Sequence, residues 1–272
     1  MKKYLCHEAI VLESSPLAAG QHLLTLKAPG LASRARPGQF VHVLLPGEGL
    51  DPFLRRPFSL AAAFPEEEKI QLFFRLVGGG TSILSRLQAG ETLDCLGPLG
   101  RGFSPPLPGE KPVLIAGGIG AAPLWFLKLT LQNEKTPFHF FWGAASRNHF
   151  FLLHDFEKGE NALSLATDDG SLAFHGPVTK PLEKFLQQNT LAGLRLYACG
   201  PAAMLKKVQA MAAQHQVPLE ISLEERMACG IGACLGCAVR KKNPAGKGEK
   251  IHFSRVCFDG PVFPGEEVII NA

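Results

Sequence analysis

The stretch "RMACGIGACLGCAV", residues 226–239, constrains this chain more than any other part, because it sets three cysteines and three glycines within fourteen residues. Cys229, Cys234 and Cys237 stand as C-x4-C-x2-C, and Cys257 follows in "RVCFDG". That spacing matches the plant-type pattern of a [2Fe–2S] cluster. Each iron of such a cluster takes two thiolates, so the backbone must bend tightly around the inorganic sulfides. Gly230, Gly232 and Gly236 suit that bend, since glycine reaches positive φ at little cost and leaves N–H groups free to point at sulfur. A structural zinc site with four cysteines normally uses two separate C-x2–4-C knuckles, and only one separate pair is present here, so the spacing favours iron and sulfide.

The opening residues, "MKKYLCHEAIVLESS", hold no apolar run of signal length, which predicts a cytoplasmic protein with reduced thiols and argues against disulfides. The apolar run "PVLIAGGIGAAPLWFL" is shorter than a bilayer requires, and its glycines and Pro123 divide it, so no membrane span is expected. Lysine and arginine exceed the acidic residues by only four, which gives no ground for nucleic-acid binding. Cys6 and Cys95 lie in strand-like surroundings and read as small buried hydrophobes.

With 272 residues, 46% of them hydrophobic and 19% charged, the chain has room for two domains and a small third. Up to about Phe103, runs such as "QHLLTLKA", "QFVHVLLP" and "IQLFFRLV" are separated by Gly and Pro turns, the pattern of an antiparallel barrel or sandwich. Within it "TSILSRLQAG" has helical spacing. After "SPPLPGEKP" the rhythm changes to strand and helix in alternation, which predicts a parallel sheet with helices on both faces. The expected blocks are 1–105, 106–224 and 225–272, and the last is too small to hold itself together without a metal site.

Two weaker signals join the cysteines. "RRPFSL" and "GGGTS" set Arg56, Pro57, Phe58 and Ser59 beside a helix start at Gly80, Thr81 and Ser82. Arg56 and the free N–H groups there suit a pyrophosphate, Phe58 offers a face to an aromatic ring, and Ser59 a hydroxyl to a ring nitrogen. "AGGIGAAPL" gives G-x-G-x-x-P at Gly118, Gly120 and Pro123, which by itself fits a nucleotide site and an ordinary tight turn equally. "YACGP" adds a second glycine turn at a strand end, with Cys199, Gly200 and Pro201, where the cysteine is either buried or in contact with a cofactor. Arg147 could meet a 2′-phosphate or be plain surface, so NAD and NADP are not separated.

The order R-P-F-S, G-G-T-S, G-G-x-G-x-A-P and C-G-P resembles the ferredoxin reductase superfamily, and with the C-terminal cysteines the chain resembles the electron-transfer subunits of NAD-dependent dihydroorotate dehydrogenases. The resemblance implies a multidomain fold: an antiparallel β-barrel FAD domain, an α/β parallel-sheet nucleotide-binding domain and a small C-terminal [2Fe–2S] domain. It implies that Arg56 to Ser59, the strand residues Phe73, Phe74 and Arg75, and Gly80 with Thr81 hold FAD. Gly118, Gly120, Pro123 and Cys199 to Pro201 are implied to line the NAD site, and Cys229, Cys234, Cys237 and Cys257 to bind the cluster. Many members carry tyrosine where this chain has Phe58, so stacking survives and a hydroxyl contact is lost. The implied partner is an FMN-containing dihydroorotate dehydrogenase catalytic subunit in a heterotetramer of two and two, working in pyrimidine biosynthesis. Electrons would pass from the cluster to FAD and then to NAD+, with no acid or base catalyst required, because a flavin exchanges electrons singly or in pairs. Two other readings are a flavin and iron–sulfur reductase subunit for a sulfide, sulfite or ferredoxin-linked partner, and a non-enzymatic zinc-stabilised binding module. The basic "RKKNPAGKGEK" fits an acidic partner or, more simply, a solvated hairpin.

Overall fold

The computed structural model describes residues 5–45, 53–156, 161–242 and 252–270. Strands β1 (Leu5–Ala18), β2 (Gln21–Lys27), β3 (Phe40–Leu44), β4 (Arg56–Phe64), β5 (Lys69–Arg75) and β6 (Thr92–Leu99) close into an antiparallel barrel in the order β1-β2-β5-β4-β3-β6. Period-two alternation sends Val41, Val43, Phe58 and Leu60 into the barrel core, while Phe40 packs outward against the C-terminal part of the chain. The same alternation corrects one expectation. Cys6 lies on the outer face of β1 and is exposed, on the opposite parity from buried Ala9 and Val11, whereas Cys95 is fully buried. Two short helices, α1 (Pro29–Ala32) and α2 (Gly79–Leu84), cap the barrel.

Beyond the proline-rich connection lies a parallel sheet of β7 (Lys111–Gly117), β8 (His139–Ala144), β9 (Ala162–Thr167), β10 (Phe174–His175), β11 (Leu194–Cys199) and β12 (Leu219–Ser222), in the order β10-β9-β8-β7-β11-β12. The chain runs outward from β7 in one direction and resumes at β11 in the other, so the strand order reverses between β7 and β11. At such a reversal the loops leaving adjacent carboxyl ends diverge and open a crevice. Helix α3 (Ala121–Asn133) fills the seam between sheet and barrel, with Leu124, Trp125, Leu127 and Leu131 packed with Phe140 and Trp142 of β8 and Phe73 of β5. Because α3 is covered on both sides it is apolar nearly all round. Helices α4 (Thr179–Gln188) and α5 (Ala202–His215) cover the opposite face through Leu182, Leu186, Leu205 and Val208.

The C-terminal part begins with the cysteine loop, followed by the hairpin β13 (Ala238–Lys241) and β14 (His252–Arg255). Most of the basic stretch, residues 243–250, lies outside the described residues, so its two readings stay untouched. Strand β15 (Val262–Pro264) then pairs antiparallel with β12 and extends the large sheet. Cys237, Val239, Val256, Cys257, Phe263 and Val268 share one apolar core with β11, β12 and α5. The last block is therefore fused to the nucleotide sheet.

Candidate functional site

The crevice at the β7/β11 reversal is a cavity of about 490 Å3, walled by Gly117, Gly118 and Gly120 from one loop and by Gly200 and Pro201 from the other. Gly120 is glycine for lack of room: a Cβ there would sit 2.5 Å from the carbonyl oxygen of Cys199. Two loops thus meet backbone to backbone, which leaves their N–H groups and the α3 N-terminus at the cavity. Trp142 Nε1 donates to the Gly118 carbonyl at 3.2 Å and fixes the turn. Cys199 itself is buried beneath the loop, and burial raises its thiol well above the ordinary range, so it shapes the floor as a neutral small residue. Pro123 likewise is buried in the first turn of α3.

The barrel supplies the facing wall. Gln21 and Arg75 line the same cavity, and Gln21 Nε2 donates to the His149 carbonyl at 2.8 Å, tying barrel to sheet across its edge. Glu224 faces Arg75; burial holds its carboxyl above the usual range and the guanidinium opposes that rise. Glu224, Asp168, Thr179 and Lys207 were not singled out from the sequence. Each stands in a stretch that carries no recognisable motif, and only the fold brings them together.

Along β4 and β5 the flavin-motif residues divide between faces. Arg56 lies beside Gly80, where a Cβ would meet its Cγ and Nε at 3.9 Å, so the strand and the α2 N-terminus do come together. Thr81 Oγ1 is engaged in its own turn: it accepts from Val77 N–H at 2.9 Å and Gly78 N–H at 3.2 Å, and donates to the Gly78 carbonyl at 3.0 Å. Its hydroxyl therefore shapes the loop. Phe58 turns into the barrel core with its ring edge-on to Phe74 at 5.5 Å, and Pro57 and Ser59 take the outer face. Phe73 points the other way, edge-on to Phe151 at 5.2 Å.

In the cysteine loop the thiols stand as two pairs. Cys234 N–H donates to Cys229 Sγ at 3.4 Å, and Cys257 N–H to Cys237 Sγ at 3.4 Å. Burial pushes the Cys229 thiol up, but the N–H groups of Cys234, Ile231 and Ala233 outweigh it and bring it down to about 6. The inner pair shows the opposite balance: burial, then the neighbouring Cys237, raise Cys257. Among the described residues no three histidine, cysteine, aspartate or glutamate side chains close around a single ion. Two thiol pairs with N–H groups aimed at sulfur fit a binuclear cluster better than one tetrahedral metal. Gly230 and Gly232 have positive φ of 69° and 84° as expected, but the third left-handed residue is Leu235, at 60°, and not Gly236. Gly236 instead gives its N–H to Cys234 Sγ at 3.5 Å. Arg255 pins the loop by donating to the Gly232 carbonyl at 3.0 Å while bound to Asp259.

Residues 224–269 match the family model of the iron–sulfur cluster binding domain of dihydroorotate dehydrogenase B, and residues 114–210 that of the oxidoreductase NAD-binding domain. The dihydroorotate dehydrogenase B (NAD(+)) electron transfer subunit of Desulforamulus reducens is 43% identical over 96% of this chain and 97% of its own length. This chain belongs to that family. The electron transfer subunit of Enterococcus faecalis is 36% identical, again over 96% and 97% of the two chains. As a member, the chain has an iron–sulfur cluster domain and an NAD-binding domain, in agreement with the thiol pairs and the glycine crevice. Among solved structures, an NADH-dependent reduced ferredoxin-NADP oxidoreductase is similar with a TM-score of 0.82 and 28% identity, over 96% of this chain and 90% of that one. A cytochrome P450 reductase of Amycolatopsis shares the fold at a TM-score of 0.65 and 24% identity, over 79% and 68% of the chains. Among the described residues no helix is long and apolar enough to cross a membrane.

Proposed function

We propose that this chain is the electron-transfer subunit of an NAD-dependent dihydroorotate dehydrogenase, receiving electrons from an FMN-bearing catalytic subunit and delivering them through [2Fe–2S] and FAD to NAD+. The observation that carries the reading is that one barrel touches both ends of the route. Arg75 at the end of β5 opens on the glycine crevice, while the outer face of β3 lies under the cysteine loop. Bound FAD supplies the exchange between a hydride pair and single electrons, which nicotinamide and an iron–sulfur cluster do not perform between themselves.

The chain's own residues bind and orient. Arg56, with the backbone at Gly80 and the turn that Thr81 closes, receives the FAD phosphates; Pro57 and Ser59 present the outer face of β4, with Phe58 and Phe74 as the packing behind it, Phe73 packs on the outer side against α3, and Arg75 borders the site. Gly118, Gly120, Gly200 and Pro201 line the NAD site, with Pro123 and Cys199 as its support. Cys229 pairs with Cys234 and Cys237 with Cys257 as the four cluster ligands. The blocks 1–105, 106–224 and 225–272 carry FAD, NAD and cluster in that order. The working unit in this reading is a cytoplasmic heterotetramer of two catalytic and two electron-transfer subunits.

Purified protein should contain flavin, iron and acid-labile sulfide; a colourless zinc protein would sink the proposal. Mixed with the FMN subunit from its own source, it should couple dihydroorotate oxidation to NAD+ reduction. A second reading, a reductase subunit for a ferredoxin-linked partner, draws on the likeness to the NADH-dependent oxidoreductase at a TM-score of 0.82. Coupling to reduced ferredoxin but not to the dihydroorotate enzyme would favour it.

A further inference from the structure

The outer face of a barrel strand is ordinarily wet, yet His42 on the outer face of β3 is 0% exposed. Its cover is the cysteine loop: a Cβ at Gly230 would collide with His42 Nδ1 and lie 3.0 Å from Cε1, and the backbone of Cys229 lies against the ring. On its other side His42 stands in register with Pro57 of the flavin-motif strand, and Phe40 meets it edge-on at 6.5 Å. The imidazole thus occupies the seam between the strand assigned to FAD and the loop assigned to the cluster.

Among the described residues neither His42 Nδ1 nor Nε2 makes a hydrogen bond of ordinary geometry, and the Cys229 backbone acts on the ring only as an acceptor outside that geometry. A buried polar group left unpaired costs about 1–3 kcal/mol, and such groups in folded proteins nearly always have a partner. The charged groups acting on the ring are Arg55 and Arg56; Arg55 donates to the His42 carbonyl at 3.3 Å and pairs with Asp94 at 2.5 Å, and no carboxylate is among the groups that would hold an imidazolium. A neutral imidazole has one N–H to donate and one nitrogen to accept. Beside Gly230 in the chain stands Cys229, whose sulfur, assigned to the cluster, is an acceptor for such an N–H.

We propose that His42 is a positioning residue for the iron–sulfur cluster, its Nδ1–H donating a hydrogen bond to sulfur on the Cys229 side while its ring seats Gly230 against the flavin strand. The inference rests on the cluster assignment above. A hydrogen bond to cluster sulfur favours the more negative, reduced form and so raises the potential.

The test uses the full-length protein carrying its cofactors. Protein labelled with 15N-histidine and reduced with dithionite should show an imidazole nitrogen coupling to the cluster spin in pulsed EPR. His42→Phe, which keeps a ring but has no donor, should lose that coupling and shift the cluster midpoint to lower potential, and His42→Gln, which keeps an N–H, should restore much of the shift. A wild-type cluster signal without histidine coupling would overturn the role of His42 and leave the cluster assignment standing. An unchanged midpoint in His42→Phe would overturn it too. If His42→Phe fails to fold, the labelled wild type alone decides. Absence of any cluster signal from iron-replete protein would overturn the cluster assignment, and this inference with it.

Discussion

Gly120 and the cysteines show how single residues decide what the site holds. Adding a methyl group at Gly120 drives it into the Cys199 carbonyl, where both sides are backbone and neither yields cheaply. Gly120→Ala should therefore cost about 1–3 kcal/mol in thermal or denaturant unfolding and weaken NAD+ binding at least tenfold by titration calorimetry, with iron content unchanged. Cys257→Ser should lower iron and sulfide content sharply, whereas Cys6→Ser, on the exposed face of β1, should leave both unchanged by colorimetric assay. At this scale the sequence was partly legible. The cysteine loop was readable because thiol spacing around a cluster is restrictive, and the structure brings its four cysteines together as two pairs. The roles of Phe58 and Thr81 were not, since a motif names the residue but not the face it turns to or the turn that claims its hydroxyl. Leu235 in a left-handed conformation was unreadable for a related reason: a tight loop imposes that strain where its geometry requires it, whatever residue stands there.

Among the elements, α3 is the one whose chemistry departs most from its pattern. Strand and helix alternation located it well, because apolar runs bounded by Gly and Pro leave few alternatives. What the pattern concealed is Lys128, 1% exposed, with its Nζ 4.1 Å from the Trp125 ring centroid and 4.8 Å from that of Phe156. Burial lowers its pKa to about 8, with Asp155 opposing. Between about pH 8 and the ordinary lysine value near 10.4 the unfolded chain therefore binds a proton that the native state does not, and stability should rise with pH by up to about 1.4 kcal/mol per unit. Lys128→Met should abolish that rise relative to wild type in denaturant unfolding followed across this range, and should be the more stable protein at pH 7. Strand β15 was the other surprise among the elements. "GPVFPG" was too short to show in sequence whether it closes a small domain or joins a distant sheet, and only tertiary pairing with β12 decides it.

For the molecule as a whole, that pairing makes the cluster block and the nucleotide sheet one cooperative body. Cys237 and Cys257 lie in the same apolar core as Leu196, Ile221 and Val208, so loosening the thiols loosens the wall behind the NAD crevice. Removing iron with a chelator under reducing conditions should lower the melting temperature of the entire protein in a single calorimetric transition, and reconstitution with iron and sulfide should restore it. Two separate transitions, with the larger unmoved, would show that the blocks are independent. The three-block order was legible in composition and rhythm, while the fusion of the last two was not, because it depends on contacts between residues far apart in the chain. On the ribosome that fusion sets a timetable. Cys229, Cys234 and Cys237 leave the exit tunnel before Cys257, and the outer edge of β12 stays bare until residues 262–264 follow, so neither the four-thiol set nor the nucleotide sheet is complete until the chain has passed both points.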